Sequence, residues 1–211
     1  IYQQSLNAAR DDDQIKTIVK KLKALGVQVD LPRHFGFLMN WKTIGPFENK
    51  GRNGFGVAYP PETELNLTAQ YEGTEGAVKW QDYQTNHDYG MVDINQPYGM
   101  LKEVLAYAVT DFNSATEQEV ELRLGCKNAW KVWLNGELLF QRDEYHRGMR
   151  LDQYRLKAKL KQGRNVIMLK LCQNEQMENW TKEWQFQLRV CDSTGTAILS
   201  TTRPAGNAAA K

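Results

Sequence analysis

The side chains of this 211-residue chain that could do chemistry are six tryptophans, three histidines, three cysteines and 25 acidic residues. His34, His87 and His146 stand far apart, with no HxH or HxxxH spacing to bring two imidazoles onto one metal, so each reads as a surface or packing residue. Cys126, Cys172 and Cys191 form no CxxC pair and read as buried structural thiols, with one disulfide expected only in an exported protein. No GxSxG elbow marks a nucleophile, and Gly51, Gly54 and Gly56 follow no GxxxxGK phosphate-loop pattern. A glycosidase needs two carboxylates about 5 to 9 Å apart across a cleft. Most acids here fall instead on the polar side of alternating stretches, so no catalytic residue, metal ligand or cofactor is assigned.

The aromatic residues carry more information. Trp and Tyr rings stack on the C–H faces of sugars while amide and charged groups take the hydroxyls. Trp41 and Trp133 lie in apolar stretches and read as core. Trp130, next to Asn128, sits at a loop-to-strand junction, and Trp180 and Trp184 sit in or beside the polar stretch 174–183. Tyr145, His146 and Arg147 share a loop between Asp143 and Asp152. These seven residues (Asn128, Trp130, Tyr145, His146, Arg147, Trp180 and Trp184) are the candidate ligand face, with packing as the competing role for each.

The elements that must position them follow two periodicities. Ile15, Ile18, Val19, Leu22 and Leu25 recur at helical spacing after Asp11-Asp12-Asp13, which supplies caps, and before Gly26, which supplies a stop. Residues 1–10 read as a second helical stretch. Residues 27–34 read as a linker in which Pro32 ends any helix. Together, 1–34 form a helical segment that could be the stub of a preceding domain.

From Phe35 the period changes to two. Val120, Leu122 and Leu124 alternate with Glu119, Glu121 and Arg123, and the same pattern recurs over 155–160 and 185–190. One face of each strand should be buried and the other wet. Strands are expected over 35–44, ending at Gly45-Pro46, then 80–83, 91–94, 103–112, 118–126, 129–134, 137–142, 153–160, 165–172 and 184–192. Residues 49–61 should be a long loop. Asn135-Gly136 predicts a tight hairpin, and Lys161-Gln162-Gly163 predicts another. Short strands without crossover helices imply an all-β, antiparallel β-sandwich over 35–200, followed by a disordered tail over 201–211.

The segment LRLGCKNAWKVWLNGELL, residues 122–139, with the later LKAKLKQGRNVIMLKL, resembles the galactose-binding-domain-like jelly roll. That fold serves in the sugar-binding domains of glycoside hydrolases and in accessory carbohydrate-binding modules. The opening WKTIGPF, the Gly-rich loop and Tyr59-Pro60-Pro61-Glu62 are similar to the start of domains in large bacterial multidomain proteins. The resemblance spans about residues 35–195. It implies a sugar-binding role and mildly favours a secreted or periplasmic setting. Relatives that hold calcium carry an Asp-Asp-Gly loop where this chain has Cys126-Lys127-Asn128-Ala129, so no calcium site is carried over.

A net charge of +2 with mixed signs gives no field that favours nucleic acid or anionic lipid, and no apolar run is long enough to span a bilayer. A 41% hydrophobic and 25% charged composition is that of a globular body. The start at Ile1 rather than Met suggests a piece of a longer protein. The expected function is therefore a non-catalytic carbohydrate-binding-like module, with a carbohydrate and neighbouring domains as partners. The alternative is a structural or protein-interaction domain with an apolar patch near Ile15, Ile18 and Leu22. A glycoside hydrolase comes third.

Overall fold

The computed structural model describes residues 1–204. Most of the tail expected to be disordered, 205–211, lies outside the described residues. Residues 201–204 are tied down: Thr201 N donates to Asn113 O (2.9 Å) and Arg203 Nη1 to Phe37 O (2.7 Å).

Three helices, α1 (Tyr2–Ala8), α2 (Asp12–Ala24) and α3 (Leu31–Phe35), precede an antiparallel β-sandwich. Strands β1 (Asn40–Glu48), β4 (Gln81–Gln84), β6 (Val104–Ser114), β8 (Ala129–Leu134), β9 (Glu137–Arg142) and β11 (Gly163–Cys172) form a six-stranded sheet in the order β4-β1-β6-β11-β8-β9. Strands β5 (Val92–Asp93), β7 (Gln118–Cys126), β10 (Tyr154–Leu160) and β12 (Gln185–Cys191) form a four-stranded sheet in the order β10-β7-β12-β5. The apolar rows met in the sequence, Val120/Leu122/Leu124 and Phe186/Leu188/Val190, face Ala106, Val132, Ile167 and Leu169 across the interlayer core. Each large side chain buried there contributes roughly 1.5–3 kcal/mol.

Three local expectations are corrected. Pro32 opens a helix instead of ending one. It lies in the first turn of α3, where its missing N–H costs nothing, and Asp30 Oδ1 caps the turn by accepting from Arg33 N (2.9 Å). Strand β1 continues through Gly45-Pro46 to Glu48, because its register against β6 shifts between Ile44 and Phe47 and leaves the proline outside the ladder.

Only Asn135-Gly136, with φ of 54° and 85°, makes a strand-to-strand hairpin of the expected kind, joining β8 to β9. The turn 161–163 is instead a corner, since β10 pairs with β7 in one sheet and β11 with β6 and β8 in the other. The fully buried Asn165 ties that corner: its Oδ1 accepts from Lys161 N and Asn135 Nδ2, and its Nδ2 donates to the carbonyls of Lys161 and Gly163.

The largest difference concerns the faces expected to be wet. Helices α1–α3 cover part of the four-stranded sheet, where Leu6, Ile15, Val19, Leu22 and Phe35 form a core of their own, so no apolar patch stands open at Ile15 or Leu22. The segment after α3 runs along β12, with Leu38 N to Leu188 O at 2.9 Å. A side chain at Gly36 (φ 78°) would come within 2.7 Å of Val190 O, so only glycine fits there.

Under this cover Arg123 and Arg189 are buried, not solvated. Asp152 accepts from Arg189 Nε (2.7 Å) and Nη2 (2.6 Å) and from Arg123 Nη1 (2.7 Å), and Arg123 Nε also reaches Glu121 (2.7 Å). Arg155, Lys157 and Lys159, beyond the helices on β10, keep their expected exposure.

The other sheet is covered as well. Residues 49–80 are not a bare loop. They hold a 3-10 stretch over Lys50–Phe55, a short helix α4 (Pro60–Thr63) and a hairpin of β2 (Gln70–Gly73) with β3 (Gly76–Lys79). This strap lays Phe55, Tyr59, Leu67, Tyr71 and Trp80 over Ile44, Tyr107, Val109, Trp133 and Met168 on the outer face. Lys170, fully buried on β11, clamps it: Nζ donates to Val57 O (2.6 Å), Phe55 O (3.3 Å) and Glu62 Oε1 (2.7 Å), and Tyr107 donates to the same carboxylate. Burial holds the Lys170 pKa below its ordinary value, against the pull of Glu62.

Removing one partner from either network leaves a buried charge unmatched. Asp152→Ala is expected to lower unfolding free energy by about 3–5 kcal/mol in urea titration. Burial works to raise the Asp152 pKa, but Arg189 and Arg123 outweigh it and hold the value below 3.8. The stabilisation is thus present above 3.8 and is lost as pH falls below it. Glu62→Ala should cost about 3 kcal/mol. The double variant Glu62→Leu with Lys170→Met should recover most of that loss, and additive losses in the double-mutant cycle would contradict the clamp.

Candidate functional site: a loop rim around Trp180

Strand polarity brings five connections to one rim of the six-stranded sheet, because Glu48, Val104, Cys172, Ala129 and Arg142 are all strand ends on that side. The rim thus gathers residues 49–55, 99–103, 127–128, 143–147 and 173–183. Beneath it lies a ladder of buried amides. Asn49 Nδ2 donates to Gln173 O (2.9 Å) and Tyr145 OH (3.1 Å), Asn128 Nδ2 to Gln173 Oε1 (3.2 Å) and Glu183 O (3.2 Å), and Gln173 Nε2 to Thr181 O (3.1 Å). Lys102 Nζ, also donating to Thr181 O (2.7 Å), ties the 99–103 loop to the same turn.

On this base sits an aromatic and polar surface. Trp180 is 60% exposed, an unusual state for so large an apolar ring. It meets the imidazole of His146 edge to face, with centroids 5.4 Å apart and an interplanar angle of 86°. His146 has a positive φ of 57° and is fixed by Nε2 to Asn174 Oδ1 at 2.7 Å, a contact that makes Nε2 the protonated nitrogen because Asn174 Oδ1 also accepts from Gln176 N.

Beside it, Arg52 (φ 67°) binds Glu175 through two contacts of 3.0 and 2.5 Å, and its guanidinium lies 5.2 Å from the Tyr145 ring centre. The Arg52 bonds pull the Glu175 carboxyl down to about 2. Glu144, paired with Arg142 and Arg147, is also held below its ordinary range although desolvation opposes this. Glu144 and Glu175 are therefore ionised at neutral pH.

The seven candidates separate under this geometry. Tyr145, His146 and Trp180 come together. Arg147 is exposed on the same loop but paired with Glu144 (2.9 Å). Asn128 is buried in the amide ladder and positions the rim from below. Trp130 and Trp184 are corrected: both are fully buried and offer no ring face to a ligand. Trp130 packs on Tyr154 (5.0 Å) and Phe140 (5.8 Å), and Trp184 Nε1 donates to Leu171 O (3.3 Å). Their burial follows from strand position, since Trp130 is already the second residue of β8 and shares the inward parity of Val132 and Leu134. Arg52, Lys102, Asn174 and Glu175 escaped sequence reasoning. The only signal in the sequence was the Gly-rich composition of the 49–61 loop, in which Gly51 and Arg52 prove left-handed.

No family model matches the chain, and no curated protein matches it. Solved structures overlap it in part. A family 35 carbohydrate binding module from Clostridium thermocellum aligns at 16% identity over 42% of this chain and 72% of that one, with a TM-score of 0.31. A beta-glucosidase from Kluyveromyces marxianus aligns at 10% identity over 82% of this chain and 21% of the enzyme, with a TM-score of 0.42. A beta-glucuronidase from an uncultured Clostridium sp. aligns at 11% identity over 74% and 29%, also at 0.42. The sandwich assignment here rests on the chain's own strand order, and the overlaps add no argument to it.

Burial lowers the His146 pKa below 6.5, with the Asn174 bond opposing and Lys102 and Arg52 adding to the shift. The folded rim therefore favours neutral imidazole. Its contribution to stability is complete above 6.5 and is lost as pH falls through that value toward the folded pKa. An NMR titration of the His146 ring protons is expected to give a midpoint below 6.5, and a midpoint above it would mean the imidazole is not desolvated.

Proposed function

We propose that this chain is a non-catalytic carbohydrate-binding-like module of a larger protein, and that the rim around Trp180 holds the saccharide. The observation that carries the reading is the open indole face of Trp180, braced by His146 over a bonded polar floor. A sugar ring has C–H faces for the indole and hydroxyls for the neighbouring donors and acceptors, which here are the Arg52–Glu175 pair, Tyr145 and the 173–176 turn. A site on relaxed loops pays an ordering cost at binding, and the buried amides below lower that cost. The lowered carboxyls of Glu144 and Glu175 support the non-catalytic part, because a glycosidase acid needs a raised pKa to donate a proton at neutral pH. The resemblance of residues 122–139 to sugar-binding sandwiches points the same way.

A second reading, packing against a neighbouring domain, draws on Met100 (72% exposed) and Met177 (68% exposed), which lie in two of the rim connections, 99–103 and 173–183. Apolar side chains in such numbers on one rim also suit a protein contact.

Glycan arrays followed by calorimetry separate the two. Saccharide binding should appear at millimolar concentration or tighter, and Trp180→Ala should weaken it about tenfold or more with the melting temperature unchanged. Absence of any saccharide binding at millimolar concentration would remove the first reading and leave the second.

A further inference from the structure

A second concavity of the sandwich lies away from the Trp180 rim, at the opposite end of the same strands. It is a cleft of about 720 Å³, within the range of roughly 300–1,000 Å³ common for ligand sites. The strap leaves this end of the outer face uncovered. The 200–204 segment walls one side, and Leu67 from the strap walls another. Asn40 here and Glu48 at the Trp180 rim are the two ends of β1. Eight residues of strand place them roughly 26 Å apart, so one short ligand cannot occupy both places.

The chemistry of the lining is specific in two respects. First, its charges are balanced in sign: on the wall Asp30 caps Arg33 N and Arg203 donates to Phe37 O, and on the strands each charge has a partner. Lys42 Nζ lies 2.5 Å from Asp82 across the β1–β4 pair, and Asp111 is bound by Arg164 at 2.9 Å. Second, three exposed amides, Asn40, Gln84 and Asn86, make no side-chain hydrogen bond among the described residues. Asn40 and Gln84 sit opposite each other in register, so their amides project on the same face of the sheet. Each amide offers both donors and an acceptor. The lining also includes the half-buried Met39 and Leu67 and the buried Val109.

From these features we infer that the cleft is a second ligand site, one that takes a short stretch of a neutral, polyhydroxylated chain such as an unbranched uncharged oligosaccharide. Charges balanced in sign give an ionic ligand no net attraction. Unpaired amides give alternating donor and acceptor contacts of the kind that hydroxyls satisfy, and the partly exposed Met39 and Leu67 accept C–H edges. Among the described residues no exposed aromatic ring lines the cleft, so binding should depend on hydrogen bonds and length rather than on stacking. The site shares its ligand class with the reading above but does not depend on Trp180.

The test is a backbone-amide NMR titration of the whole 211-residue chain with xylohexaose, cellohexaose and mannohexaose, repeated on Trp180→Ala and on the double variant Asn40→Ala with Gln84→Ala. The altered amides are exposed, so the double variant should fold, and its unchanged spectrum elsewhere checks this. Saturable shifts at Lys42, Gln84, Asn86 and Thr110 with at least one hexasaccharide, retained in Trp180→Ala and weakened about tenfold in the double variant, are the expected result. Shifts confined to residues 143–147 and 173–183 would overturn the second site and leave the first standing. Cleft shifts that survive unweakened in the double variant would overturn the role of the amides and with it the proposal. Silence at the cleft with all three sugars overturns it too, whatever happens at the rim.

Discussion

A charge taken out of water stays buried only while all its bonding positions are met, and two such charges hold the covers on this sandwich. Lys170 spends its three protons on two strap carbonyls and Glu62. Asp152 divides its two oxygens between Arg123 and Arg189, and Arg189 passes on to the carbonyls of Phe35 and Gly195. In each case the partners come from segments remote in sequence. The ion pair thus fixes where a cover lies, while the apolar clusters around it supply the greater share of the free energy. An apolar cover alone could slide, whereas a cover bonded to one buried ammonium or carboxylate has one seat.

That seating reaches the rim. The strap begins at Asn49 and carries Gly51 and Arg52 before it reaches the residues that Lys170 holds, so the clamp also sets the approach of Arg52 to Glu175 and Tyr145. The amide ladder of Asn49, Gln173 and Asn128 then joins three connections that leave different strands. Trp180 and His146 therefore rest on a bonded floor, although both lie in loops. Surface rings on such floors lose little freedom when they meet a ligand.

Strand order in sequence was readable because alternation is local: β7, β8 and β9 begin and end where the residue pattern places them, and Asp11 caps α2 as its type suggests. Asn135-Gly136 was readable for the same reason. The corner at 161–163 was not, since a glycine turn looks alike whether the next strand folds back or crosses to the other layer. The fate of Arg123 and Arg189 was hidden for a deeper reason. Alternation marks which residues share a face but says nothing about whether another segment later covers that face. The strap escaped because its strands are four residues long and polar, too short to show a period. At the candidate site, Tyr145, His146 and Trp180 were found by residue type. Trp130 and Trp184 were misplaced because a ring near a strand end can point either way until register is known.

The three cysteines, all free and fully buried, sample three different environments. Cys126 lies between the sheets, Cys172 lies under the strap, and Cys191 follows Arg189 on the face beneath the helices. Burial pushes the Cys126 thiol up to about 12 and raises the other two, so none reacts from the closed state. The molecule therefore contains three built-in gauges of partial opening. A thiol reagent applied under native conditions would reach Cys172 when the strap lifts, Cys191 when the helices lift, and Cys126 only when the two layers part, which resolves the hierarchy of local unfolding without any introduced label.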